Sequence, residues 1–238
     1  MLLSPWEKLP DSIKNEAVKP YYDILKKKVI ILLIKRIFDF ILSGLMIIVF
    51  SPLLLTIALL IKLDSKGPIF FKQTRVTTNH RLFKILKFRT MVENAEQLGS
   101  LVTPENDVRI TKIGRILRRY RLDEIPQLFN VFVGDMSFVG TRPEVLEYVK
   151  QYTPEMYATL LMPAGITSLT SILYKDEEKI LSDTNNPNEI YINKILPDKM
   201  KLNLSSLKNI SLLNDIKIMV YTLLAVTGLK INSLEKNS

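Results

Sequence analysis

ILSGLMIIVFSPLLLTIALLI, residues 41–61, carries no charged side chain over its whole length. A straight helix of that length reaches across a bilayer core of about 30 Å. Two features argue against a simple span. Ser51-Pro52 lies in its middle, and proline has no backbone N–H, so it bends or breaks a helix. Basic residues also flank both ends, Lys35 and Arg36 before it and Lys62 and Lys66 after it. By the positive-inside rule both ends then prefer the cytoplasmic side. A helix bent at Ser51-Pro52 that enters and leaves by one leaflet meets both conditions, with the Ser51 hydroxyl able to bond a carbonyl freed by the kink. The plainer alternative is a kinked helix that crosses the bilayer.

On the N-terminal side, residues 1–28 are mixed and polar and contain no apolar core of a signal peptide. The predicted organisation is a peripheral extension over 1–34, the membrane helix over 35–66 and a catalytic domain over 67–238. On the C-terminal side, residues 68–91 alternate apolar and basic residues, which predicts short strands about a turn at Thr77–Arg81. Residues 92–98 read as helical and 99–108 as a loop, with Asp107 as a helix cap. Over 109–122, Ile110, Ile113, Leu117 and Tyr120 share one helical face opposite Lys112, Arg115 and Arg119. That helix should end near Asp123-Glu124, because Ile125 precedes Pro126. Pro126 suits the first turn of a new helix to about Val133. A loop from Gly134 to Pro143, helical pieces over 144–161, an irregular stretch over 163–171, polar helical pieces over 175–182 and 188–213 and an apolar-rich helix over 212–229 complete the chain. The predicted fold class is α-rich α+β, with a re-entrant membrane helix broken at Ser-Pro, interfacial helices and a small β element.

Composition narrows the chemistry. The 238 residues hold 33 Lys and Arg against 24 Asp and Glu, a formal charge of +9. Such a surface suits anionic partners: nucleic acid, an anionic membrane face or phosphorylated substrates. There is no cysteine, and His80 is the single histidine. Disulfides, thiolate metal sites and His-rich clusters are excluded. Catalysis must use carboxylates, amines, guanidinium groups, hydroxyls or a bound metal.

Three constellations can carry chemistry. Six basic residues lie from Arg109 to Arg121, and Asp123-Glu124 follow. Arginines grip phosphate bidentately, and a carboxylate among them stays ionised. One acid can then bind Mg²⁺ while the other attacks phosphorus. The bland alternative is a solvated basic helix closed by two surface acids. In KILKFRTM, residues 84–91, Lys87 and Arg89 would share a strand face that meets phosphate or anionic lipid, unless they only blunt an edge strand. Between Gly134 and Glu144 two glycines and a proline imply a tight loop that holds Arg142 for a ligand, or an ordinary turn.

In this order, these segments resemble the bacterial sugar transferase family, the monotopic polyprenyl-phosphate phosphoglycosyl transferases. The matching stretches are KRIFD at 35–39, the Ser51-Pro52 break, KFRTM at 87–91, GRILRRYRLDEIPQLFNVFVGDMSFVGTRPE at 114–144 and PAGIT at 163–167. The resemblance implies a re-entrant helix and an active site at the cytoplasmic face of the bacterial inner membrane. It implies that Asp123 is the nucleophile on a UDP-sugar, that Glu124 binds Mg²⁺, and that Arg118 binds phosphate. Lys87 and Arg89 would lie near the headgroup of undecaprenyl phosphate, and Arg142 near the nucleotide sugar. Expected partners are thus UDP-sugar, undecaprenyl phosphate and membrane lipid, with no nucleic acid; a homo-oligomer is left open. The chain departs from the usual pattern at Thr77, Thr141 and 168–172, which bears on the donor sugar. Two rivals stand beside this reading: a non-catalytic protein that binds anionic lipid or nucleic acid through its basic face, and a membrane-anchored partner without activity. The acid pair weighs against the first, since two carboxylates weaken anion binding unless a cation bridges them.

Overall fold

A computed structural model describes residues 3–95, 107–174, 177 and 186–227. The chain is helix-rich with two small sheets, the α-rich α+β class expected. Helix α1 covers Lys19–Lys27, and α2 runs from Val29 to Asp64, 36 residues with Pro52 inside.

The expected interruption at Ser51-Pro52 is not a gap in helical structure. Proline 52 offers no N–H to the Ile48 carbonyl four residues back, and the Ser51 hydroxyl donates to that oxygen instead, at 2.8 Å. One stripe of α2 faces inward: Leu32, Lys35, Asp39 and Ser43 before the proline, Ile57 and Ile61 after it, are buried. The opposite stripe is apolar and exposed, with Ile41, Leu45, Ile48, Leu55, Leu59 and Leu63. Both ends of α2 are tied to the rest of the chain. Arg36 donates to the Val131 and Phe132 carbonyls at 2.7 and 2.9 Å, and Asp64 accepts from the Ile113 N–H at 2.9 Å.

The segment before α2 is not peripheral. Leu9, Ile13, Val18, Tyr21, Tyr22 and Leu25 are buried in one cluster with Val149, Leu161, Met200 and Leu204. Their irregular spacing among polar residues gives no period for a sequence reading to find.

After α2 comes an antiparallel hairpin, β1 (Phe70–Thr77) and β2 (Arg81–Phe88), in register from Phe70 opposite Phe88 to Thr77 opposite Arg81. Asn79 and His80 take left-handed backbone in the turn, at φ 57° and 60°. Helix α3 is shorter than the amphipathic pattern, Lys112–Arg119, and Thr111 is its cap, accepting from the Gly114 N–H at 3.0 Å. Asp107, expected to cap, instead accepts from Arg109 Nε and Nη2 at 2.9 and 2.6 Å. Helix α4 (Gln127–Val133) ends at left-handed Gly134. Strand β3 (Met136–Val139), helix α5 (Leu146–Val149), strand β4 (Ala164–Thr167) and helix α6 (Leu169–Leu173) follow. The parallel β3–β4 pair falls where loop and irregular chain were expected. Four-residue strands are too short to show alternation, and all four β3 residues are buried.

A π-helical turn, Tyr191–Ile195, leads into α7 (Leu196–Lys208), and α8 spans Leu212–Val226. The apolar-rich terminal helix is thus present; it buries Asp215 and Ile218 and exposes Leu213, Ile216, Val220 and Leu223. The helical reading of 92–98 is described only over 92–95, which form a turn with left-handed Asn94 at φ 60°; the rest of it, most of the loop reading of 99–108 and 175–182 apart from Glu177 lie outside the described residues.

Candidate functional site

The acid pair sits in a short joint between two helices. Helix α3 stops at Tyr120, and Arg121 takes left-handed backbone at φ 53°. The chain then makes one 3₁₀ turn, Leu122–Glu124, before α4 begins. The helix therefore ends ahead of left-handed Arg121 and not because of Pro126; Ile125 itself has α-helical backbone despite preceding proline.

Two separate elements converge on Glu124. Its Oε1 accepts from Lys87 Nζ on β2 at 2.9 Å and from Arg142 Nη2, in the loop after β3, at 2.6 Å. Asn130 of α4 locks this arrangement. Its Oδ1 accepts from the Leu86 N–H and its Nδ2 donates to the Lys84 carbonyl, both at 2.9 Å, so α4 and β2 are held edge to edge. The Arg142 loop is anchored by Gly140 N–H on the Thr167 carbonyl, 3.0 Å, and by Gly165 N–H on the Thr141 carbonyl, 2.9 Å. Gly140 and Gly165 must be glycine here, since a Cβ on Gly165 would lie 2.2 Å from the Gly140 nitrogen.

Electrostatics separate the two acids. Burial pushes Glu124 upward, but Arg142 and Lys87 outweigh it and hold the carboxyl well below the ordinary range. Burial raises Asp123 to about 6, with the Glu124 charge adding to it and Lys87 and Arg118 opposing. The expected carboxylate held ionised by nearby cations is Glu124; both acids are desolvated, and at Asp123 burial outweighs the pull of Lys87 and Arg118. Arg142 is raised chiefly by Glu124.

The other expected residues divide. Arg118 is half-buried on α3, close enough for its charge to act on Asp123 and on Asp107. Arg89 does not join Lys87. Strand β2 ends at Phe88, alternation ends with it, and Arg89 Nη2 donates to Ser65 O and Oγ at 2.7 and 2.9 Å, clasping the end of α2.

Two groups escaped the sequence reading. Gln127, one turn beyond Glu124, is wholly buried, and its amide oxygen and nitrogen have no hydrogen-bond partner among the described residues. Its place in DEIPQ was visible; its burial was not. Behind Arg142, Glu144 accepts from the Tyr191 hydroxyl at 2.6 Å, and Lys199 donates to Tyr191 and to Glu177 at 3.2 and 2.9 Å. These residues come from distant segments with no shared motif.

No group of three acidic or histidine side chains that could hold a metal occurs among the described residues. Two adjacent carboxylates still fit Mg²⁺, which takes few protein oxygens and fills its octahedron with phosphate and water. Glu124 Oε1 is occupied by Lys87 and Arg142, which leaves Oε2 as the Glu124 oxygen that could hold the ion.

The sequence profile described as bacterial sugar transferase matches residues 30–228. The chain belongs to the bacterial sugar transferase family. Among family relatives, it is 43% identical over 145 residues to a UDP-N-acetylgalactosamine-undecaprenyl-phosphate N-acetylgalactosaminephosphotransferase of Aeromonas hydrophila, covering 59% of this chain and 34% of that protein. It is 41% identical over 143 residues to a UDP-glucose:undecaprenyl-phosphate glucose-1-phosphate transferase of Klebsiella pneumoniae, covering 58% and 30%. It is 43% identical over 148 residues to the exopolysaccharide production protein PSS of Rhizobium leguminosarum bv. phaseoli, covering 59% and 74%. The match thus spans about a third of the first two relatives and three quarters of the third. For this sugar transferase, the joint at Leu122–Glu124 lies inside the matched region, as do Lys87, Arg118 and Arg142.

Proposed function

We propose that this chain transfers a sugar-1-phosphate from a UDP-sugar to undecaprenyl phosphate at the cytoplasmic face of the inner membrane, as a first membrane step of glycan assembly. The observation that carries this reading is the shared grip of Lys87 and Arg142 on Glu124, beside an Asp123 that accepts no cation directly in the described contacts. Glu124 is neutralised and fixed; Asp123 is left as the nucleophile.

In the first step an Asp123 oxygen attacks the phosphorus that bears the sugar. The bond from that phosphorus to the bridging oxygen breaks, and UMP leaves with the electron pair. In the second step a phosphate oxygen of undecaprenyl phosphate attacks the same phosphorus and the Asp123–phosphorus bond breaks, which restores the carboxylate. Arg118, Lys87 and Arg142 offset the charge of the phosphates. Glu124, through Oε2, would hold Mg²⁺, which would neutralise phosphate charge when bound.

The membrane reading rests on α2. Some 36 residues of helix measure about 54 Å, more than the ~30 Å hydrocarbon core. Yet both its ends bond to the same domain, Arg36 to α4 and Asp64 to α3. This supports insertion and return by one leaflet, with the bend at Ser51-Pro52. The exposed apolar stripe of α2 and the outer face of α8 would then lie in the acyl and interfacial layers.

The test is UMP release from a panel of UDP-sugars with Mg²⁺ and undecaprenyl phosphate. Asp123→Asn should abolish it and prevent a sugar-phosphate adduct with donor alone; full turnover by that variant would refute the covalent route.

A further inference from the structure

A second cavity lies beside the Arg142 loop and is not used by the chemistry above. It is an open cleft of about 560 Å³, solvent-filled space included, between α2, α7, α8 and the segments after β3 and around β4. Its polar wall includes Lys35, Thr141, Asn203, Asn214 and Asp215 with the hydroxyls of Thr159, Ser168 and Ser206, and most of the remaining side chains are aliphatic. Thr141 and Thr159 also line the smaller cavity that holds Arg142 and Glu144, so the two spaces share a wall. Thr141 is the chain neighbour of Arg142, which bonds Glu124 directly, so one loop joins the cavity wall to the acid pair.

The wall selects by charge. Lys35 Nζ is 2.5 Å from Asp215 Oδ2, and both side chains are at least nine-tenths buried. Asp39 is buried close by, and its charge also acts on Asp215. One cation against two carboxylates leaves no positive excess, so a phosphate gains nothing by entering. No aromatic ring lines the cavity among its described residues, so a nucleobase has no face on which to stack. Amides, hydroxyls and a neutralised ion pair set among aliphatic groups suit a neutral, polyhydroxylated ring.

We propose that this cavity receives the sugar ring of the donor and that Asn214 and Thr141 help set which sugar is accepted. The inference rests on the transferase reading. Asn214 is half-buried, and no hydrogen bond holds its side chain among the described contacts, so its amide is free to meet a sugar hydroxyl. Thr141 is likewise half-buried, beside the loop that carries Arg142.

The experiment compares full-length wild type, Asn214→Leu and Thr141→Val in UMP release with a panel of epimeric UDP-hexoses, alongside competitive inhibition by UDP, which has both phosphates and the base but no sugar. Loss of one hydrogen bond to a sugar hydroxyl should raise KM for the preferred donor, or shift its preference over an epimer, by about tenfold. Inhibition by UDP should not change. Thermal shift repeats the comparison without turnover: wild type should be stabilised more by its UDP-sugar than by UDP, and Asn214→Leu equally by both. Unchanged donor preference in both variants overturns the proposal while the transferase reading stands. Equal loss of UDP inhibition would give the cavity to the nucleotide, and a raised KM for undecaprenyl phosphate alone would give it to the lipid; either also overturns it. Wild type that releases no UMP from any UDP-sugar would instead defeat the transferase reading itself.

Discussion

Arg142 and Glu124 stand eighteen residues apart in sequence and 2.6 Å apart in space, joined through Nη2 and Oε1. The arginine side chain keeps about a third of its surface exposed, at 34%, while Glu124 keeps 12%. The pair is therefore a bond between a recessed acid and a guanidinium that can still face a ligand. Arg142→Ala should leave Glu124 with Lys87 alone and lower UMP release by about 10²-fold, the usual cost of losing one donor at a phosphoryl or oxyanion site. Arg142→Lys should recover only part of this, since an ammonium lacks the planar fork. Wild-type rates in Arg142→Ala would remove the residue from the site.

Asp107 provides a pH signature away from the acid pair. Its hydrogen bonds to Arg109 hold its carboxyl down to about 2. A depressed acid stabilises the fold above its unfolded pKa, near 4, and loses that contribution as pH falls toward 2. Denaturant unfolding between pH 5 and 2 should therefore show a steeper loss for wild type than for Asp107→Asn. Parallel curves would mean the bond to Arg109 does not persist in solution.

The proline in α2 depends on Ser51. Ser51→Ala should strip the Ile48 carbonyl of its donor and cost about 1 kcal/mol. Adding Pro52→Ala restores a backbone N–H and should return the stability. Melting curves in micelles test this, and labelling from the cytoplasmic side at both ends of 41–61 tests whether the helix still returns.

Lys35 and Asp215 form a buried pair. Removing one partner should cost about 3–5 kcal/mol, whereas Lys35→Met with Asp215→Leu should be near neutral. A double-mutant cycle by denaturant unfolding measures the coupling; additive single effects would contradict the contact.

Gln127 bears an amide with no exposure and no hydrogen-bond partner among the described residues. Gln127→Met fills the same space without polar atoms and should raise stability by about 1–3 kcal/mol. A loss of stability would show that the amide has partners in solution.

Local pattern and tertiary placement can be separated residue by residue. Uncharged 41–61 determined a long apolar helix, the alternation around 71–88 determined the hairpin, and the run of arginines into Asp123-Glu124 marked an acid pair beside cations, because each depends on spacing within one element. Tertiary structure decided which cations meet Glu124: Lys87 does, while Arg89 two residues later clasps Ser65, since the strand stops between them. It also decided that Leu9 to Leu25 belong to the core, that four-residue β3 and β4 pair in parallel, and that Lys35 meets Asp215 across 180 residues. Hydrophobic period and charge run along the chain, so a single sequence displays them. Which side chains share a desolvated space depends on contacts between distant segments, and no local spacing encodes that.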